Sequence, residues 1–303
     1  MRLTRTIIFL GAKVVVAWKW MSWVGVGTLL LVSQLRADDP PEWTTPITPF
    51  RIVGNLYYVG SQDLASYLIV TSQGSILINS NLEGSAPLIR RSVEQLGFRF
   101  QDIKILLISH AHGDHDASSA EIKRQTGAKY EVMGGDVAVV ESGGAKDFAY
   151  PNMRYPAAKV DRVLHDGDTV RLGDAVLIAH KTAGHTRGCT TWTLQVKEGG
   201  KLLNVVIVGS WNVNPGYRLV DRPGQPASYP GIAADYRRTF SVLKGLPCDV
   251  FLGAHGGYFD MLKKLERIRM GAMENVWVDP KGYQSAVTER ERAFEEELKR
   301  QEL

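Results

Sequence analysis

Residues 109–115 read Ser109-His110-Ala111-His112-Gly113-Asp114-His115 and follow directly on the apolar run Ile103 to Ile108. Three imidazoles and a carboxylate thus fall within six positions at the end of what reads as a buried strand, more nitrogen and oxygen ligand capacity than a protein core requires. Alternate residues leaving a strand point the same way, so His110 and His112 can hold one ion together, and zinc suits this donor chemistry. Asp114 and His115 lie beyond a bend that Gly113 permits and are free to hold a second.

Three further strand ends carry candidates. Thr182-Ala183-Gly184-His185-Thr186 follows the strand-like run Ala175 to Lys181, and Gly253-Ala254-His255-Gly256-Gly257 follows Asp249 to Gly253. Glycines flank each histidine, which lets the backbone fold close to an ion. Val208-Gly209-Ser210 ends a third strand. Ligands far apart in sequence but all at strand ends converge if those strands share one edge of a sandwich. His165 and His180 lie off these positions and read as structural.

The 303-residue chain is long enough for one large domain or two small ones. Its first 37 residues stand apart, with Arg2, Arg5, Lys13, Lys19 and Arg36, no acid, and an apolar stretch from Trp20 to Val32. This reads as a secretory signal peptide cleaved after Ala37, leaving residues 38–303 as the mature domain in the periplasm, with an uncleaved anchor as the alternative. The leader holds five of the 36 Lys and Arg and none of the 32 acids, so the remainder is within one charge of neutral. A nucleic-acid partner is not implied, nor is stable membrane association after cleavage or an obligatory protein partner. Cys189 and Cys248 are the two cysteines, and in an exported protein they can form one disulfide or stay two thiols.

Along the mature chain the periodicity predicts a strand-like stretch over Phe50 to Gly60 with Asn55 and Gly60 as turn positions, strands Ser66 to Val70 and Ser75 to Ile78, and a helix over Pro87 to Gly97. The strand Ile103 to Ile108, a helix Ser118 to Thr126 ended by Gly127, and a strand Lys129 to Met133 follow. The second half repeats the order with strands Arg162 to Leu164, Thr169 to Leu172 and Ala175 to Lys181, then a hairpin of Thr190 to Val196 with Lys201 to Val208. A Gly- and Pro-rich loop, Asn212 to Gly231, precedes a helix near Ala233 to Leu243 and the strand Asp249 to Gly253. Helices over Tyr258 to Met270 and from Tyr283 onward close the chain. Two strand-rich halves, each closed by helices, predict an α+β fold of two packed sheets with helices outside.

His110-Ala111-His112-Gly113-Asp114-His115, Gly184-His185-Thr186 and the late His255, in this order and strand context, resemble the metallo-β-lactamase superfamily over nearly all of the mature chain. The resemblance implies a four-layer αββα sandwich and two zinc ions, the first held by His110, His112 and His185, the second by Asp114, His115 and His255. Other branches of that superfamily place a bridging aspartate or a cysteine after the hairpin strand, where this chain has Gly209-Ser210-Trp211. That serine, with His115 as a ligand, is similar to the third subclass of class B β-lactamases. The subclass resemblance implies hydrolysis of the β-lactam amide bond of a small-molecule antibiotic by a zinc-bound hydroxide, with Asp114 and His112 in catalytic roles and Ser210 and Asn212 on the substrate carboxylate. Two positions depart from its pattern: Cys189 stands where serine is usual, and Asn212 where a second serine is frequent. A lactonase or thioesterase on the same scaffold, or an exported zinc-binding protein with vestigial catalysis, are the alternatives. Asp116 reads as a helix N-cap or as a support for the metal ligands.

Overall fold

The structure is a computed structural model that describes residues 39–303; the expected signal peptide lies outside the described residues. Two sheets are built from twelve strands. The first has seven in sequential order, β1 (Phe50–Val53), β2 (Leu56–Tyr58), β3 (Tyr67–Thr71), β4 (Gly74–Ile78), β5 (Ile103–Leu107), β6 (Lys129–Met133) and β7 (Arg162–Leu164). The second has five: β8 (Thr169–Leu172), β9 (Ala175–Lys181), β10 (Thr190–Glu198) and β11 (Lys201–Val208), with β12 (Val250–Gly253) pairing parallel to β11 at the edge.

The strands of the first sheet are apolar on both faces because both faces are covered. Tyr67, Ile69, Ile76, Ile78, Ile105 and Leu107 point into the core shared with the second sheet, while Leu68, Leu77 and Leu106 point the other way. That outer side is closed by α1 (Ala86–Gln95), α3 (Ser119–Thr126) and α4 (Gly134–Glu141), which bring Ile89, Val93, Ile122 and Val140. On the second sheet lie α5 (Ile232–Gly245) and α7 (Pro280–Glu302), joined through the stacked rings of Tyr236 and Phe294, 5.1 Å apart. The order helix, sheet, sheet, helix is the expected four-layer sandwich. Among the described residues no helix is long and apolar enough to cross a membrane.

Most elements match the sequence expectations within two or three residues. The hairpin between β10 and β11 turns on Gly199 and Gly200, both at positive φ, as a tight two-residue turn requires. The predicted helix Tyr258 to Met270 is split: a 3-10 turn covers Gly256–Phe259, and α6 (Met261–Arg269) starts after Asp260, which sits at φ 53°. The helix α4 was not among the expected elements; its Gly-Gly start and Val-rich body carry little helical signal.

The two sheets are tied directly beneath the histidine segment. Trp192 of β10 is fully buried and its indole N–H donates to the Ile108 carbonyl at 3.1 Å, while the Thr190 amide donates to the Ser109 carbonyl at 2.8 Å. Trp192→Ala removes both the bulk and the bond and is expected to cost about 3–5 kcal/mol in chemical denaturation. Trp192→Phe, which keeps most of the bulk, should lose about 1–3 kcal/mol through the orphaned carbonyl.

Candidate metal centre

The histidine segment leaves β5 at the edge where β9, β11 and β12 also end. Its backbone is fixed before its side chains matter. The Ser109 amide donates to Asn79 Oδ1 at 2.7 Å and the Ser80 amide to the His115 carbonyl at 3.0 Å. Asn79 and Asn81 sit at φ 68° and 60°, where asparagine is better tolerated than other side chains. The short helix α2 (Gly113–Asp116) follows His112 and carries Asp114 and His115, with the His115 ring 4.4 Å from that of His110.

His110, His112 and His185 form one group and are all buried. Their rings meet edge to face at centroid separations of 4.5–4.8 Å. His185 Nδ1 lies 2.8 Å from the Asn212 carbonyl, which leaves Nε2 for an ion; His112 Nε2 lies 3.4 Å from Asp147 Oδ2, which leaves Nδ1. Neither ring nitrogen of His110 has a hydrogen-bond partner.

Asp114, His115 and His255 form the other group. Asp114 Oδ2 is 3.3 Å from His115 Nε2 and 3.5 Å from His255 Nε2, and the two nitrogens are 3.2 Å apart. Ligands about 2.0–2.1 Å from a tetrahedral ion are separated by about 3.3 Å, so this triangle has the dimensions of one face of a zinc coordination shell. His110 also belongs with Asp114 and His115 within ligand range, which places the two groups side by side. The residues therefore fit two ions.

Protonation of the first group agrees with that fit. Burial pulls His112 down to about 4 and His185 to about 3, and holds His110 well below the usual imidazole range, with its neighbouring imidazoles adding to the shift. All three present neutral rings at neutral pH. Burial also opposes charge on His255, but the carboxylates of Asp114 and Asp63 outweigh it and raise the group to about 9. Asp114 would be raised by burial, yet His115 and His255 hold it well below the carboxylate range, so it is anionic.

Ser210 Oγ and Asn212 Nδ2 both lie 3.1 Å from the Tyr258 hydroxyl, whose ring packs 5.2 Å from that of His255. The two side chains expected to meet substrate thus share one anchor beside the second group. A crevice of ≈ 770 Å³ between the loop after Ser210 and α7 adjoins the centre through Asn212 and Tyr217 and is lined by none of the six ligand candidates. Cys189 and Cys248 are both free. The buried Cys189 thiol, raised by desolvation, points at the Ser210 carbonyl at 3.7 Å, which accounts for it as packing. His165 is exposed, and His180 bonds Thr193, both outside the centre.

Asp116 is not an N-cap. It lies inside α2, fully buried, accepting from the Tyr130 hydroxyl, and the cap position of α3 is Ser118.

The supporting carboxylates were missed in the sequence. Asp136, in the first turn of α4, accepts from the Ala111 amide at 3.0 Å, the Thr186 hydroxyl at 2.7 Å and the Gly188 amide at 2.7 Å, tying the two loops that carry the first three histidines. The approach is so close that a Cβ on Gly135 would lie 2.2 Å from the Arg187 carbonyl oxygen. Burial raises Asp136 to about 6, against the pull of these three donors. Asp147 and Asp63 stand behind His112 and His255. An isolated acid in a loop has no spacing signature; a Gly-Gly-Asp start to a helix is the one clue Asp136 offered.

The family model of the metallo-beta-lactamase superfamily matches residues 64–255, which include every ligand candidate. The chain belongs to the metallo-beta-lactamase superfamily. Among solved structures, it is similar to the native FEZ-1 metallo-beta-lactamase of Legionella gormanii at 53% identity, covering 85% of this chain and 98% of that one, with a TM-score of 0.82. BJP-1, a subclass B3 metallo-beta-lactamase of Bradyrhizobium japonicum, is 38% identical over 86% and 97% of the two chains, TM-score 0.79. The class B3 di-zinc metallo-beta-lactamase LRA-12 from an Alaskan soil metagenome is 36% identical over 85% and 97%, TM-score 0.76. A "probable metallo-hydrolase" of Burkholderia pseudomallei is 33% identical over 111 residues, so the match spans 36% of this chain and 36% of that relative's length.

Within this superfamily scaffold Asp136 is the residue whose loss should loosen the first group without touching a ligand. Asp136→Ala orphans three buried donors and is expected to destabilise the protein by about 3 kcal/mol. Zinc retained after dialysis should fall along with it; an unchanged unfolding midpoint and zinc content would show that the two loops hold their geometry unaided.

Proposed function

We propose that the chain is an exported, zinc-dependent hydrolase that opens the β-lactam amide bond. The observation that carries this reading is Ser210. It stands at the end of β11, beside two three-ligand groups, where a carboxylate would bridge the ions or a cysteine would bind one. A serine leaves the centre more cationic and offers a neutral donor, the combination suited to an anionic substrate. The similarity to class B3 enzymes at up to 53% identity supports the same choice. The basic, acid-free leader supports export.

His110, His112 and His185 would hold one zinc and Asp114, His115 and His255 the other; when bound, the ions polarise the lactam carbonyl and lower the pKa of water to near 7. The rest falls to the chain. The Asn212 carbonyl fixes the ring orientation of His185, and the Asp147 carboxylate stands 3.4 Å behind His112 Nε2, so the ligands are set before substrate arrives. Asp114 would give one carboxylate oxygen to the second ion and has the other to accept a proton from the attacking water and return it to the departing amine. Ser210 and Asn212, which meet at Tyr258, would turn their donors to the substrate carboxylate. No side chain acts as a nucleophile, so reagents that acylate serine should leave the enzyme active.

Turnover of a carbapenem and a cephalosporin, set beside lactones and glutathione thioesters, tests this reading. Hydrolysis of the β-lactams, lost on dialysis against a chelator and restored by zinc, is expected. Activity that survives the chelator, or clear preference for a lactone or thioester, would overturn it. Ser210→Ala should raise KM about tenfold, the equivalent of one hydrogen bond to a charged group, with a smaller change in kcat.

A further inference from the structure

The two ligand groups are braced from different parts of the chain. Behind the first stand interior loops, through Asp147 and the Asn212 carbonyl. Behind the second, His115 Nδ1 has no partner, and the single braced imidazole is that of His255, whose Nδ1 lies 2.8 Å from Asp63 Oδ2.

Asp63 is itself held from two sides. On the inner side its carbonyl accepts from the Gly256 amide at 2.6 Å and its Oδ1 from the Gly257 amide at 2.9 Å, and Leu64 bridges to His255. On the outer side lies the segment that begins the described chain. The Asp63 amide donates to the Glu42 carbonyl at 3.2 Å, the Gln62 amide to the Thr45 carbonyl at 3.0 Å, and Pro46 bridges to Ser61. From this segment the Trp43 ring packs 5.7 Å from that of His255.

We infer that residues 41–46 form a strap that, through Trp43 and Asp63, orients His255 and so sets the affinity of the second metal position separately from the first. The inference rests on the reading of the centre as a two-zinc site. Asp63 and Trp43 are positioning residues. Asp63 fixes which nitrogen of His255 carries the proton and faces the other toward Asp114 and His115. Trp43 packs its ring against the imidazole. The strap joins the sheet edge by a few backbone bonds and has exposed residues at Pro41, Glu42, Thr44 and Pro46, so the second position is tied to a surface segment that the first does not touch.

The test is zinc bound per chain across a series of buffers of fixed free zinc, for the wild type, Asp63→Asn, Trp43→Ala and Trp43→Phe, with Asp147→Asn as the reciprocal variant. Wild type should saturate at two ions. Asp63→Asn should move only the second ion's binding to higher free zinc, by roughly 10- to 100-fold, the usual effect of losing a carboxylate behind a ligating histidine. Trp43→Ala should move it in the same direction, and Trp43→Phe, which keeps an aromatic ring against the imidazole, by less than the alanine variant. Asp147→Asn should move the first ion instead. Cobalt substitution supplies a second readout, with the spectral change confined to the second equivalent in the Asp63 and Trp43 variants. Superimposed curves for wild type, Asp63→Asn and both Trp43 variants, or equal displacement of both ions, would overturn the inference. Saturation of the wild type below two ions would overturn the two-zinc reading itself, and the inference with it.

Discussion

The centre is organised around a buried imidazole that its own protein leaves without a partner. His110 is 1% exposed, both its ring nitrogens lack hydrogen bonds, and the rings of His112, His115 and His185 lie within 4.8 Å of it. Each unpaired buried polar atom costs about 1–3 kcal/mol. Crowding also prevents these rings from holding protons together. A cation that accepts nitrogen lone pairs removes both penalties, and the surrounding structure keeps the rings from turning away to find other partners.

That restraint comes from the sandwich. Parallel strands β4, β5 and β6 and the parallel pair β11 and β12 deliver their C-terminal ends to one edge, so each following loop starts from a fixed backbone. Trp192 and Thr190 tie the sheets where the histidine loop begins, and Asp136 ties that loop to the one carrying His185. The glycine before His185 permits the close packing. Gly184 is at φ 133° over the Tyr236 ring, with no room for a Cβ, and Thr239 of the same helix bonds the Ala183 carbonyl. Ligand geometry is thus a property of the core rather than of the loops alone.

Much of this was legible in the sequence because it depends on local patterns. Histidines at alternate positions after a β-branched run announce a strand-end metal site, and period-two apolar runs mark the strands that carry it. All six ligand candidates were named from such signals, although the division between two positions came from family resemblance. What escaped was long-range. Asp63, Asp136 and Asp147 each act across the fold, on partners 25 to 192 residues away, and apart from the Gly-Gly start before Asp136 nothing in their neighbours sets them apart from surface acids. Tyr258 was read as the start of a helix, whereas it stands in a 3-10 turn with its hydroxyl between Ser210 and Asn212. The N-cap role for Asp116 failed for a related reason: local capping rules did not foresee a tyrosine hydroxyl arriving from the neighbouring strand.

The central claim is that six side chains form two adjacent three-ligand positions on one sheet edge. Anomalous diffraction at the zinc absorption edge, from crystals grown with zinc, tests it most directly. Two peaks are predicted, one among His110, His112 and His185 and one among Asp114, His115 and His255. A single peak at full occupancy, or a second peak held by other residues, would contradict the account.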